Sequence, residues 1–126
     1  MIFGIGTDVV QIERIQKIHA RHGERLVKHL LMIEEEQSFR EQTRAARFLA
    51  MRFAAKEAIV KAMGTGFAAG MWIRDCGIAA TPLGKPEIIW SERGRERCNQ
   101  LGIGEGHITL TDEAGLVVAV AILMRK

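Results

Sequence analysis

An aspartate at the end of an apolar strand and a glutamate inside an alanine-rich helix are the residues of this sequence best placed for chemistry. Asp8 closes the run Met1-Ile-Phe-Gly-Ile-Gly-Thr. Glu57 lies in Arg52-Phe-Ala-Ala-Lys56-Glu57-Ala-Ile-Val-Lys61-Ala-Met-Gly64-Thr65-Gly66. Two carboxylates from separate elements suit Mg²⁺, a hard ion that takes one or two carboxylates and fills its other positions with water and phosphate oxygens. Each residue also has a plainer role. Asp8 would cap the helix that follows it. Glu57 and Lys61, spaced i,i+4 in the favourable order, would pair on the helix surface. Ala54, Ala55, Ala58 and Ala62 surround these charges and leave room for another element or a ligand. Gly64-Thr65-Gly66 either offers backbone N–H groups to a phosphate or simply ends the helix.

A basic stripe is the second feature. Arg14, Lys17, Arg21, Arg25 and Lys28 are spaced 3, 4, 4 and 3, and with Glu13 and Glu24 they give residues 11–31 a net charge of +3, equal to that of the whole chain. If the helix continues or resumes in line after Gly23, all five project from one side. A solvated helix face explains them as well as a docking surface for an acidic partner does. Nucleic acid would normally bring stacking aromatics or a known binding motif, and neither is present. An acidic protein helix would need only the stripe and the apolar Ile15 and Ile18 beside it.

Other residues narrow the chemistry. His107 opens the alternating run His-Ile-Thr-Leu-Thr, apart from His19, His22 and His29 in the basic segment. No histidine pair has metal-ligand spacing, which disfavours soft-metal sites. Cys76 and Cys98 are isolated, so they read as two reduced, half-buried thiols of a cytoplasmic protein.

These residues need elements to hold them. The 126-residue chain, 48% hydrophobic and 26% charged, reads as one domain over 1–126. Ile2 to Val10 reads as a strand in which Gly4 and Gly6 let another backbone come close. A helix follows from Gln11 to a cap at Gly23, then a short amphipathic helix around Leu26–Leu31. Glu34-Glu35-Glu36 fits the first turn of a third helix, opposing its dipole. Thr43 reads as the N-cap of the clearest helix, Arg44 to Met63. Trp72–Thr81 and Glu87–Trp90 form a hairpin about Pro82–Pro86, Ser91 caps a helix to Leu101, and His107–Thr111 pairs with Leu116–Met124. The order implies an α+β fold with a mostly antiparallel sheet, packed with a long central helix and shorter ones. The last strand shows no polar alternation and should be covered on both faces, a sign of an oligomer. Its nine residues, Leu116 to Met124, are the longest uncharged apolar run, against the ~20 a membrane-spanning helix needs. The N-terminus lacks the basic region of a secretory signal.

The segment Gly4-Ile-Gly-Thr-Asp8-Val-Val-Gln-Ile-Glu-Arg14-Ile, taken with Arg52 to Glu57 and Lys61 to Gly66, closely resembles the holo-[acyl-carrier-protein] synthases, the short bacterial 4′-phosphopantetheinyl transferases. Gly84-Lys85-Pro86 and His107-Ile-Thr109 also fall where that family has a Gly-Lys-Pro turn and a His-x-Ser/Thr strand. The resemblance implies transfer of the phosphopantetheine arm of coenzyme A to a serine of apo-acyl carrier protein, with Mg²⁺, in fatty acid biosynthesis. It implies a homotrimer with its sites between subunits. Asp8 and Glu57 then look like the metal ligands, with Lys61 beside the pyrophosphate. Gly64, Thr65, Gly66, His107 and Thr109 resemble the parts that hold coenzyme A phosphates. Arg52, Lys85 and Pro86 fall near the phosphates or the nucleotide end, partly from a neighbouring subunit. Arg14 and Arg21 match the carrier-protein docking helix, and the stripe geometry adds Lys17, Arg25 and Lys28. Two rivals stand beside this reading: a basic nucleic-acid-binding module, which leaves Asp8 and Glu57 unexplained, and a Mg²⁺-dependent phosphohydrolase acting on a small nucleotide. No membrane or nucleic-acid partner is expected.

Overall fold

A computed structural model describes residues 1–126. In chain order the elements are β1 (Ile2–Gln11), α1 (Ile12–His22), α2 (Glu24–Leu30), α3 (Ile33–Phe39), α4 (Ala45–Met63), β2 (Cys76–Ala80), β3 (Pro86–Trp90), α5 (Glu92–Leu101), β4 (Ile103–Glu113) and β5 (Leu116–Arg125). β1, β5 and β4 form one antiparallel sheet with β5 in the middle, and β2 and β3 form a separate antiparallel hairpin. The expected α+β architecture with antiparallel sheets is present.

The glycines of β1 decide how close α4 can lie. A Cβ on Gly4 would stand 1.9 Å from the Ala62 carbonyl oxygen, and one on Gly6 would stand 2.0 Å from that of Ala58. Helix backbone therefore packs directly on strand backbone. Ala54, Ala55, Ala58 and Ala62 are all buried on α4, because only small side chains fit at that distance. The core lies between α4 and the inner face of the sheet, where Val117, Ala119, Ala121 and Leu123 of β5 are fully enclosed.

The other face of the sheet is also apolar. Val118, Val120, Ile122 and Met124 of β5 are half-buried, and Ile5 and Val9 of β1 are 59% and 60% exposed. That second apolar face is why β5 shows no polar alternation. Within one chain only the inner face is covered.

Several expected boundaries shift. Thr43 does not cap α4: Arg44 occupies the cap position, with no side-chain hydrogen bond. The strand expected from Trp72 starts only at Cys76, because Trp72–Asp75 closes a turn in which the Asp75 carboxylate accepts the Trp72 N–H at 2.9 Å. Gly23, at φ 54° and ψ −128°, separates α1 from α2, so the basic stripe spans two helices rather than one. Ser91 caps α5 as expected, its hydroxyl accepting the Gly94 N–H at 3.0 Å. Both cysteines are free and buried, more so than expected. Burial raises the Cys76 thiol to about 12 and the Cys98 thiol to about 11, which leaves both unreactive.

Candidate active site

Asp8 sits on the inner face of β1, opposite Ala119 of β5, and so faces α4. The close packing at Gly4 and Gly6 brings it to the C-terminal half of that helix. Lys61 Nζ lies 3.1 Å from Asp8 Oδ1 and donates to the Thr7 carbonyl at 3.1 Å. The Glu57–Lys61 surface pair is therefore not formed, because the lysine turns to the strand. Glu57 is half-buried. Its carboxyl is raised above the usual range, first by burial and then by the negative charge of Asp8, with Lys61 opposing.

Asp8 and Glu57 lie close enough to repel, and Lys61 pairs with the first of them. No third Asp, Glu, His or Cys completes a ligand cluster. The all-oxygen donor set fits a hard divalent ion whose remaining ligands come from phosphate and water. It does not fit zinc, which wants four protein ligands in structural sites and three in catalytic ones.

Beside Glu57 opens a cleft of about 560 Å³, lined by Phe53, Phe67, Trp72 and Ile73 with His29, Glu57 and Arg74 as its polar part. Nothing in the sequence pattern singled out this wall. It is assembled from α2, α4 and the segment leading to β2.

The other expected site residues divide by location. Gly64, in the left-handed region at φ 80°, ends α4. The amides of Gly64, Thr65 and Gly66 all donate to the Val60 carbonyl, at 3.1 to 3.2 Å. Those N–H groups close the end of α4 in this chain. Arg52 turns inward onto the face of α4 that carries Lys56. It is buried, its guanidinium 4.2 Å above the Phe48 ring and its Nε 3.4 Å from Glu35 Oε2. Burial lowers its basicity, with Glu35 opposing.

His107 and Thr109 are exposed on β4, opposite Ile122 and Val120. That is the outer face of the sheet, away from Asp8. Lys85 is exposed in the β2–β3 turn, where its carbonyl accepts the Thr81 N–H at 3.0 Å, and Pro86 begins β3. Arg14, Lys17, Arg21, Arg25 and Lys28 are all exposed. Lys17 pairs with Glu13 at 3.3 Å and Lys28 with Glu36 at 2.5 Å.

The acidic run of α3 conceals a residue that sequence reasoning missed. Glu35 is fully buried, and its carboxylate accepts the N–H groups of Met32 and Ile78, each at 3.0 Å, beside Lys56 at 2.7 Å. Its two acidic neighbours in sequence gave no sign that it turns inward.

The chain matches known proteins over almost its whole length. Residues 4–121 match the model of the 4′-phosphopantetheinyl transferase superfamily. The holo-[acyl-carrier-protein] synthase of Vibrio cholerae is 42% identical over the full length of both chains. The crystal structure of that synthase from Neisseria meningitidis superposes with a TM-score of 0.95 at 34% identity, covering 99% of this chain and 100% of the other. The Helicobacter pylori synthase in complex with coenzyme A superposes at 0.83 with 27% identity, covering 94% and 98%. With a match of this extent and the same fold throughout, the chain belongs to the holo-[acyl-carrier-protein] synthase family of 4′-phosphopantetheinyl transferases.

Proposed function

We propose that this chain moves the 4′-phosphopantetheine arm of coenzyme A onto a serine of apo-acyl carrier protein, with Mg²⁺, in the cytoplasm, and so supplies carrier protein for fatty acid synthesis. The observation that carries the reading is the meeting of Asp8, Glu57 and Lys61 between β1 and α4. The Helicobacter pylori relative solved with coenzyme A supports the choice of donor. The whole of residues 1–126 acts as one transferase domain.

The reaction joins the serine oxygen to the β-phosphorus of coenzyme A and breaks that phosphorus's bond to the bridging oxygen, releasing adenosine 3′,5′-bisphosphate. Positioning and charge stabilisation dominate transfers of this kind. Asp8 and Glu57 would hold the magnesium ion. When bound, the ion supplies Lewis-acid polarisation and neutralises the diphosphate. Lys61, tethered to Thr7 and Asp8, presents its ammonium to the leaving bisphosphate. A water oriented by the Glu57 carboxylate takes the serine proton.

His107 and Thr109 lie on the opposite face of the sheet from Asp8. One coenzyme A reaches both sets only if they come from different copies of the chain. The open apolar face carrying Ile5, Val9 and Val120 supplies the contact for such an assembly, and a homotrimer closes it. In that arrangement His107, Thr109, Lys85 and Pro86 of one copy hold the nucleotide end, while Gly64, Thr65 and Gly66 of another border the diphosphate. The exposed Arg14, Lys17, Arg21, Arg25 and Lys28 dock the acidic carrier protein.

Intact-mass measurement of apo-acyl carrier protein after incubation with the chain, coenzyme A and Mg²⁺ tests this reading, with an EDTA control. The expected gain is one phosphopantetheine, about 340 Da from its formula, lost when the metal is removed. Free phosphopantetheine released without an acceptor would make the chain a phosphohydrolase instead.

A further inference from the structure

Lys56 precedes Glu57 on α4 and is fully buried. Its ammonium meets three acceptors on three different segments: Glu35 Oε1 of α3 at 2.7 Å, the Ile73 carbonyl at 3.0 Å and the Cys76 carbonyl of β2 at 2.7 Å. All three of its donors are thereby used. The fold makes room for the counter-ion: a Cβ on Gly77 of β2 would stand 2.6 Å from the Glu35 carboxyl carbon.

Replacing a buried ion pair by well-packed apolar residues of similar volume is often neutral or stabilising. What a buried ammonium adds is direction, because it fixes α4 against two particular carbonyls. One of them belongs to Ile73, which lines the cleft at Glu57 together with Trp72 and Arg74. The same segment reaches the docking helix: the Arg74 guanidinium donates to the Lys28 carbonyl of α2 at 3.4 Å. On its other side Trp72 is held by Arg93 of α5, whose guanidinium stacks 4.4 Å above the indole and donates to the Gly70 carbonyl at 3.2 Å.

We propose that Lys56, with Glu35 as its counter-ion, is a positioning residue that fixes the Trp72–Arg74 wall beside Glu57 and α2, and thereby sets the affinity for the acyl carrier protein rather than for coenzyme A. The inference rests on the carrier-protein reading of the basic helices. Coenzyme A is left aside because Asp8, Glu57 and Lys61 are held by the packing of β1 on α4, which Lys56 does not touch.

The test is the double variant Lys56→Met with Glu35→Gln. It removes both charges, keeps the apolar stem, and leaves an amide that can accept one of the two backbone N–H groups now bound by the carboxylate. Transfer is measured over a range of carrier-protein concentrations, with coenzyme A binding followed by calorimetry. The expected result is a KM for carrier protein raised about tenfold, with kcat and coenzyme A affinity within about threefold of the parent. Should the double variant fail to fold, Arg93→Gln loosens the same wall from the surface and should raise the same KM about threefold. An unchanged KM in whichever variants fold, or an equal loss of coenzyme A binding, overturns the proposal and leaves Lys56 a purely structural residue. Those results beside an active parent leave the carrier-protein reading standing. A parent that modifies no carrier protein removes both.

Discussion

Lys61 Nζ reaches across from α4 to Asp8 Oδ1 at 3.1 Å instead of along its own helix to Glu57. The glutamate is left with a half-buried carboxyl and a negative neighbour. This division of partners gives the two acids different surroundings in one site: Asp8 is paired with Lys61, and Glu57 has no ion-pair partner.

The approach of β1 to α4 that creates this contact depends on Gly6. Gly6→Ala forces a methyl group to within 2.0 Å of the Ala58 carbonyl oxygen, so helix and strand must separate. The chain should lose about 1–3 kcal/mol of stability, as overpacked cores do. Transfer activity should fall further than stability explains at temperatures where the variant stays folded. Thermal unfolding and a transfer assay on the same preparation check both.

The sequence disclosed some of this and hid the rest for physical reasons. Gly4 and Gly6 in a β-branched strand announced a close backbone approach, and the alanines of α4 announced its counterpart. Ser91 marked the start of α5, because capping chemistry is local. Thr43 misled for the same reason: a good capping residue lies two positions before the helix, and Arg44 takes the cap without a side-chain bond. Glu35 could not be read at all: its burial depends on Lys56 and Gly77, which are distant from it in sequence, and Arg52 turns inward toward the same carboxylate. The Glu57–Lys61 spacing was legible, but a strand aspartate won the lysine. The opposite placement of His107 and Asp8 needed the strand register, which spacing alone does not supply.

Arg14 and Arg21 are exposed on α1, and the proposed docking role rests on their charge. Reversing both to Glu should raise the KM for carrier protein at least tenfold, by like-charge repulsion, and leave coenzyme A affinity unchanged. In the parent the same KM should climb with ionic strength, since exposed charges are screened. Steady-state kinetics at two salt concentrations separate these effects.

Arg47 grips Asp112 with two bonds, of 2.9 and 2.8 Å, tying the start of α4 to β4. The hydrogen bond from Arg47 holds the aspartate below its ordinary value of 3.8. A carboxyl lowered in the folded state contributes stability above the unfolded value and loses it as pH falls through the folded one. Asp112→Asn should therefore melt at a lower temperature than the parent at pH 7. The gap should close as the pH drops below 3.8, which paired melting curves across that range would measure.

The most direct test of a site shared between copies is complementation between Glu57→Gln and His107→Ala chains. Each variant assembled alone should transfer little at limiting coenzyme A. Co-expressed and mixed at random in a cyclic assembly, roughly a quarter of the interfaces should join an intact Glu57 to an intact His107, and activity should recover to about that share of the parent's. Recovery no greater than the sum of the two separate variants would contradict the account.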